Sequence, residues 1–171
     1  MTFNPLMKFD RMNIAPTEYD YLFRNAQVWG TVHDQNASVL GGVAGHAGLF
    51  SNALDLAKLM QMNLNGGIYG NYKYIHEKTL NGFTSKQHQF SRRGLGWDKP
   101  DPIKHNLSDK ASLNTYGHLG FTGTAVWVDP DQELIYVFLS NRIFPSVRNR
   151  KLMQKNIRTR IQDVIYEAIG D

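Results

Sequence analysis

The residues best suited to chemistry lie in one glycine-rich stretch, 116–124, which runs directly into the apolar residues 125–128. We interpret the whole stretch as one strand with a bare glycine end and a buried apolar end. Glycine in a strand packs nothing itself and often marks a place where a ligand approaches the main chain. His118 lies at the mouth of the bare segment, and an imidazole can bind or release a proton near neutral pH. The pattern is typical of one wall of an active site.

The alternation of side chains along a strand predicts what this wall presents to a ligand. One face would hold His118, Gly120, Thr122 and Thr124, and the other would hold Leu119, Phe121 and Ala125. The first face offers an imidazole, bare backbone and hydroxyls, and a backbone N–H there can stabilise an oxyanion by about 3 kcal/mol. The same spacing also fits a glycine-rich bend with a surface histidine, and the residues alone leave both interpretations open.

The elements that must position this wall follow from capping residues and hydrophobic periodicity. Ser51 is predicted to cap a helix that ends at the Asn-Gly-Gly sequence of residues 65–67. The predicted buried face of this helix consists of Ala53, Leu56, Ala57, Met60 and Leu64. A short helix is predicted over 76–83, and a short strand over 94–97.

The last third of the chain has the most regular pattern. Residues 129–132 predict a type I turn, and residues 133–140 predict a strand that is apolar on both faces and therefore covered on both sides of its sheet. A helix is predicted over 149–169, with a buried stripe of Met153, Ile157, Ile161, Val164, Ile165 and Ala168. These elements predict an α+β fold, in which an antiparallel sheet packs against helices that include a long C-terminal helix.

Composition restricts the class of protein. The chain has 171 residues, is 42% apolar and carries a net charge of +4, which suits a single, mildly basic globular domain. It contains no cysteine, which excludes disulfides, thiolate nucleophiles and cysteine-ligated zinc. His76-Glu77 begins like a zinc-protease motif, but Leu80 stands where the second histidine is required. We expect no metal and no cofactor, and no apolar run approaches the roughly 20 residues of a membrane span.

Several short motifs resemble those of the serine β-lactamase and penicillin-binding-protein-like hydrolases. His118-x-Gly120 is similar to the third motif of that superfamily, Lys-Thr-Gly or His-x-Gly. Residues 45–51 and 55–58 are similar to the glycine-rich segment and helix that precede this motif, and residues 94–97 and 127–130 fall where the family has comparable pieces. The resemblance covers most of the chain after residue 32, and the order and spacing of the motifs are specific.

The chain departs from this family in its nucleophile. The family uses Ser-x-x-Lys, in which the lysine amine helps to remove the serine proton, and no serine here has a lysine three residues later. The second family motif, Tyr-x-Asn, has one literal match at Tyr69-Gly70-Asn71, but this match follows the Ser51 helix, whereas the family places the motif well before it. We expect both motifs upstream of residue 1, so that residues 1–171 form a single partial domain, the C-terminal half of such a hydrolase.

The resemblance implies roles for particular residues. His118 would replace the motif lysine and donate a hydrogen bond towards the nucleophile or a substrate carboxylate. The backbone N–H of Phe121 would match the second oxyanion donor of the family, and Gly120 and Thr122 would line the substrate. His46, together with His33-Asp34, flanks the glycine-rich segment; these residues either face the same cleft or fix loops by hydrogen bonds.

A basic cluster near the C-terminus allows two interpretations. It consists of Arg148, Arg150, Lys151, Lys155, Arg158 and Arg160. Nucleic-acid binding is one interpretation, but no aromatic residues interleave with the charges, as a stacking platform requires. The other interpretation, which we prefer, is a solvated outer face, so we expect no nucleic-acid partner.

The resemblance implies a serine hydrolase that cleaves an ester or amide through an acyl-enzyme. Its substrate would be a cell-wall peptide, a β-lactam or a small ester, and its missing N-terminal half would be the first partner of this chain. Relatives of this subtype are also fused to a glycosidase in secreted bacterial proteins, which implies a periplasmic or secreted location. The alternative is a non-catalytic ligand-binding module with the same fold.

Overall fold

The fold is α+β, as predicted, and is seen in a computed structural model that describes residues 1–101 and 107–170. Short 3₁₀ helices at Pro5–Met7 and Arg11–Asn13 precede the main elements. The strands are β1 (Tyr19–Asp20), β2 (Ala26–Gln27), β3 (Ile68–Tyr69), β4 (Tyr72–Lys73), β5 (Tyr116–Leu119), β6 (Ala125–Asp129) and β7 (Leu134–Phe138). The helices are α1 (Gln35–Val39), α2 (Ala53–Leu64), α3 (Glu77–Thr84), α4 (Lys151–Gln154) and α5 (Ile157–Ile169).

The central sheet is antiparallel, with the strand order β5-β6-β7. One face carries Trp127 and Tyr136, which pack with Ile165 of α5. The other face carries Val128, which packs with Met60 of α2. Helices therefore cover both faces, which explains why β7 is apolar on both sides and confirms that part of the prediction.

The stretch 116–128 is a hairpin, and the prediction of one continuous strand was wrong. β5 ends at Leu119 and β6 begins at Ala125, with a turn over the residues between them. The turn closes through a hydrogen bond from the Gly123 amide to the Gly120 carbonyl (3.1 Å), and Gly123 adopts a positive φ of 115°. A left-handed glycine reverses the chain where strand alternation assumes that it continues.

Two shorter elements also differ from prediction. The N-cap of α2 is Asn52 and not Ser51, because the Asn52 side chain accepts the Asp55 amide (2.8 Å). Residues 94–97 form a tight loop and not a strand, since the Gly94 amide donates to the Trp97 carbonyl (2.9 Å) and the flanking Arg93 and Asp98 pair through an isolated antiparallel bridge. The predicted helix over 76–83 is confirmed as α3.

The C-terminal helix is broken in two. Asn156 adopts a left-handed conformation (φ 51°) between α4 and α5, which interrupts the predicted single helix. Beyond the break, α5 buries Gln162 and Tyr166, whereas Ile161 and Val164 of the predicted apolar stripe are exposed. Hydrogen bonds set this rotation, because the Gln162 side chain accepts the Ser108 amide (2.8 Å) deep in the fold.

A buried carboxylate joins α5 to the sheet. Asp129, at the end of β6, is 1% exposed and accepts hydrogen bonds from the Ser112 amide (2.9 Å), the Ser112 hydroxyl (2.7 Å) and the Tyr166 hydroxyl (2.7 Å). Burial alone raises the pKa of Asp129, but these hydrogen bonds outweigh it and bring the pKa below its ordinary value. The anion is therefore part of the folded structure. In the described ranges, no helix is long and apolar enough to cross a membrane.

Candidate active site

The tip of the β5–β6 hairpin places an unpaired backbone donor at the surface. The Gly120 amide donates to the Thr124 carbonyl (2.8 Å), which extends the strand pairing by one step. The next amide, that of Phe121, has no acceptor among the residues that the structure describes. An unpaired backbone N–H at the surface, such as that of Phe121, can donate a hydrogen bond to an oxyanion.

The glycines of the hairpin serve the packing of the hairpin itself. A Cβ at Gly117 would clash with the Val126 carbonyl and come within 2.5 Å of the Trp127 ring. A Cβ at Gly120 would clash with the Thr124 hydroxyl, and one at Gly123 would approach the Ser140 hydroxyl to 2.6 Å. Protein atoms therefore approach the backbone where the sequence suggested that a ligand would.

His118 has both ring nitrogens engaged. Its Nδ1 lies 2.8 Å from the Leu119 carbonyl oxygen, and its Nε2 lies 3.0 Å from Nη1 of Arg93. A carbonyl accepts only and a guanidinium donates only, so the proton of the neutral ring is on Nδ1 and Nε2 is the acceptor. In this arrangement the His118 ring accepts a hydrogen bond at Nε2, and the cationic donor beside the motif is Arg93.

Arg93 is the residue that the sequence analysis missed. A buried carboxylate, Asp98, holds it: Asp98 is 3% exposed and pairs with Nε of Arg93 (3.1 Å) and with Nε and Nη2 of Arg92 (2.8 and 3.1 Å). Asp98 also exchanges two backbone hydrogen bonds with Gly117, the residue before His118 (2.7 and 3.0 Å). The ion pair between Asp98 and Arg93 and the hydrogen bond between Arg93 and His118 thus connect the loop 94–97 to the hairpin.

His33, and not His46, contacts the hairpin tip. The His33 ring stacks on the Phe121 ring, with centroids 5.5 Å apart and an interplanar angle of 18°. Its Nε2 lies 3.0 Å from Oε1 of Glu18, whose other oxygen accepts the Val147 amide (2.9 Å). Arg142 also holds Phe121, since its Nε donates to the Phe121 carbonyl (2.9 Å) and its guanidinium lies 4.7 Å from the ring centroid.

His46 is occupied elsewhere. Its Nε2 lies 3.0 Å from Oδ1 of Asp34, and that oxygen also accepts the Ala37 amide (2.8 Å) and so caps α1. The Ala37 and His46 hydrogen bonds lower the pKa of Asp34. Thr122 is half-buried in the turn, and its carbonyl accepts the Arg142 amide (2.8 Å). Substrate contacts by His46 and Thr122 stay predictions.

The described part of the chain contains no group of three histidine, aspartate or glutamate side chains arranged to hold a metal ion. The acidic side chains near the hairpin are instead paired with arginine or histidine, as Asp98 and Glu18 are. The chemistry available here is hydrogen bonding and cationic charge.

Comparison with known proteins shows the family and the fold of the chain. The sequence profile of the β-lactamase family matches residues 8–156, which is most of the chain. The chain belongs to the β-lactamase family. Among solved structures, a β-lactamase from Mycobacterium bovis superposes with a TM-score of 0.56 at 21% identity, over 72% of this chain and 46% of that one. At that identity the likeness shows the fold, and the predicted β-lactamase-like α+β architecture is confirmed.

Curated relatives of this β-lactamase-family chain are much longer. Proteins of Salmonella gallinarum and Salmonella newport, provisionally named D-alanyl-D-alanine carboxypeptidases, are each 42% identical to it over 164 residues. The match covers 88% of this chain and 38% of each relative. The chain therefore spans about two fifths of the length of the relatives it matches. Their names support assignment to a family of serine hydrolases.

Proposed function

We propose that this β-lactamase-family chain is the C-terminal part of a serine hydrolase and supplies the oxyanion and substrate-binding hairpin of its active site. The observation that carries the proposal is the amide of Phe121. It follows the His118-x-Gly120 motif directly, lies at the hairpin tip and has no acceptor among the described residues. The first oxyanion donor would be the amide of the nucleophilic serine, in the part of the hydrolase outside this chain.

The reaction would be acyl transfer. The serine oxygen attacks a carbonyl carbon, the carbonyl oxygen becomes an oxyanion, and the amine or alcohol leaves with a proton to give a serine ester. Water then cleaves that ester, releases the acid and restores the serine. The Phe121 amide would stabilise the oxyanion in both steps, since donors aimed at developing charge lower both barriers.

The substrate would be an ester or an amide, and a cell-wall peptide that ends in D-alanine is the first candidate. The names of the relatives from Salmonella favour this choice. Arg93 beside His118 also supports it, because a guanidinium fixed by a buried carboxylate is suited to an anionic group. We place Arg93 and His118 on the substrate side of the hairpin, with Gly120 and Thr122 along it.

A serine-reactive fluorophosphonate probe tests the proposal. We expect the longer protein that includes this chain to become labelled and the 171-residue chain alone to remain unlabelled. Labelled penicillin should give the same pattern if the substrate is a D-alanyl peptide. Absence of labelling from the longer protein would contradict the hydrolase and leave the non-catalytic ligand-binding module as the better account.

A further inference from the structure

A cationic pocket lies between the hairpin tip and the two C-terminal helices. Its volume is about 590 Å³, within the range of small-molecule sites. It is lined by Gly120, Phe121, Arg142, Val147, Arg150, Met153, Gln154 and Arg158. Three arginines are among these lining residues and no acidic side chain is, so the lining supplies no carboxylate to balance their charge.

Two of the three arginines, Arg142 and Arg158, are held only by backbone carbonyls. Arg142 donates to the carbonyls of Phe121, Val147 and Asn149 at 2.9 to 3.2 Å, and Arg158 donates to the Thr124 carbonyl at 3.1 Å. Neither forms an ion pair with any residue that the structure describes. These carbonyls use some of the five N–H groups of each guanidinium, and others remain for a ligand.

The charges in this pocket repel one another. Arg158 is half-buried, and its burial, together with the charge of Arg142, lowers the pKa of its guanidinium. A bound anion would relieve both the repulsion and part of the burial cost. The basic cluster of the sequence is thus divided, because Arg150 and Arg158 line the pocket while Arg148 and Arg160 are exposed outside it.

We propose that this pocket binds a small organic anion in which a carboxylate or phosphate group lies next to an apolar portion. Arginine recognises the planar carboxylate and the phosphate through paired N–H donors. The apolar portion would lie against Phe121, Val147 and Met153, the apolar side chains of the lining. Gly120 and Phe121 are shared with the proposed oxyanion hairpin, but every lining residue belongs to this chain, so anion binding can be measured without the hydrolase activity.

Calorimetric titration of the 171-residue chain tests the site with phenyl phosphate and benzoate, and with benzamide as the neutral control. We expect at least one anion to bind and benzamide not to bind. Binding of phenyl phosphate alone would assign a phosphate ligand, and binding of benzoate alone a carboxylate ligand. Equal binding of benzamide, or binding of neither anion, would overturn the proposal.

Matched arginine variants locate the site. Arg150→Met and Arg158→Met should each weaken anion binding about tenfold, as expected for loss of one charged hydrogen-bonding group. Arg148→Met and Arg160→Met, which remove the same charge outside the pocket, should change the affinity less than twofold. The Arg150 side chain makes no hydrogen bond to the residues that the structure describes, so we expect Arg150→Met to fold. This variant therefore tests the anion site even if Arg158→Met unfolds. Equal losses in all four variants would indicate general charge attraction and would overturn the proposal.

Discussion

At the scale of single residues, the site depends on which groups hold Phe121 and His118. Phe121 is 61% exposed, yet His33 stacks on its ring and Arg142 holds its carbonyl. His118 is fixed between its own strand and Arg93. Neither His33 nor Arg93 is near the hairpin in sequence, so local spacing contains no signal for these contacts.

The tautomer of His118 is a direct consequence of its two hydrogen bonds. We expect the neutral ring to carry its proton on Nδ1, because that nitrogen faces the Leu119 carbonyl and Nε2 faces Arg93. Nitrogen-15 NMR of the imidazole distinguishes the two nitrogens. A proton on Nε2 in the neutral ring would show that Arg93 does not approach it.

Replacement of His33 tests the support of the hairpin tip. His33→Ala should lower the free energy of unfolding by about 1 kcal/mol, the order of a stacked ring pair. It should also speed exchange of the Gly120 and Gly123 amides, which are hydrogen-bonded at the hairpin tip. His33→Phe keeps the stacking and loses the Glu18 hydrogen bond, so it should preserve slow exchange. His88→Ala, which removes a ring contact with Phe90 in a separate loop, is the matched control. Unchanged amide exchange in His33→Ala would show that the hairpin tip is stable without the His33 ring.

At the scale of elements, the hairpin is where sequence and structure differ most. Strand alternation correctly separates Leu119 from His118, which pair with Ala125 and Val126 of β6 on opposite faces. It fails after Gly120, because a turn needs only one left-handed glycine and the flanking residues still look like a strand. The break at Asn156 has the same cause, since one left-handed residue leaves the apolar period of the helix almost unchanged.

Glycine substitutions distinguish packing from ligand access in the hairpin. Gly117→Ala should destabilise the fold by about 2 kcal/mol or more, because its Cβ would meet the Val126 carbonyl and the Trp127 ring. Gly82→Ala in α3 has nothing within 4 Å of its Cβ and should stabilise the helix by up to about 1 kcal/mol. Urea unfolding measures both changes. A Gly117→Ala variant as stable as the original protein would show that protein atoms do not pack against this glycine, and would favour the interpretation that a ligand approaches it.

At the scale of the whole molecule, the covered sheet was predictable and its polar anchors were not. Apolar residues on both faces of β7 predicted cover on both sides, and α2 and α5 supply it. The rotation of α5 depends instead on Gln162 and Tyr166, which hydrogen-bond to residues more than 35 positions away. Periodicity measures apolar character alone, so it favoured Ile161 and Val164, which lie exposed.

Acid should unfold the protein partly through Asp129. The folded state lowers the pKa of this carboxyl, so its stabilisation is present above the unfolded value of about 3.9 and is lost as the pH falls below it. Asp129→Asn should cost about 3 kcal/mol at neutral pH, as for breaking a buried charged network, and should flatten the loss of stability on acidification. Asp131→Asn, an exposed carboxylate in the same turn, is the control. Thermal unfolding from pH 3 to 7 measures the stability of both variants. An equal loss of stability in Asp129→Asn and Asp131→Asn would contradict the stabilising role of Asp129.

The central claim is that the Phe121 amide stabilises the oxyanion, and Phe121→Pro tests it in the longer protein. Phe121 holds the second position of the turn that Gly120 and Gly123 close, the position at which type I and type II turns favour proline, and the change removes the N–H. Phe121→Ala removes the same ring and keeps the N–H. We predict that kcat of Phe121→Pro is about 10²- to 10³-fold below that of Phe121→Ala. Equal kcat values in the two variants would contradict the account.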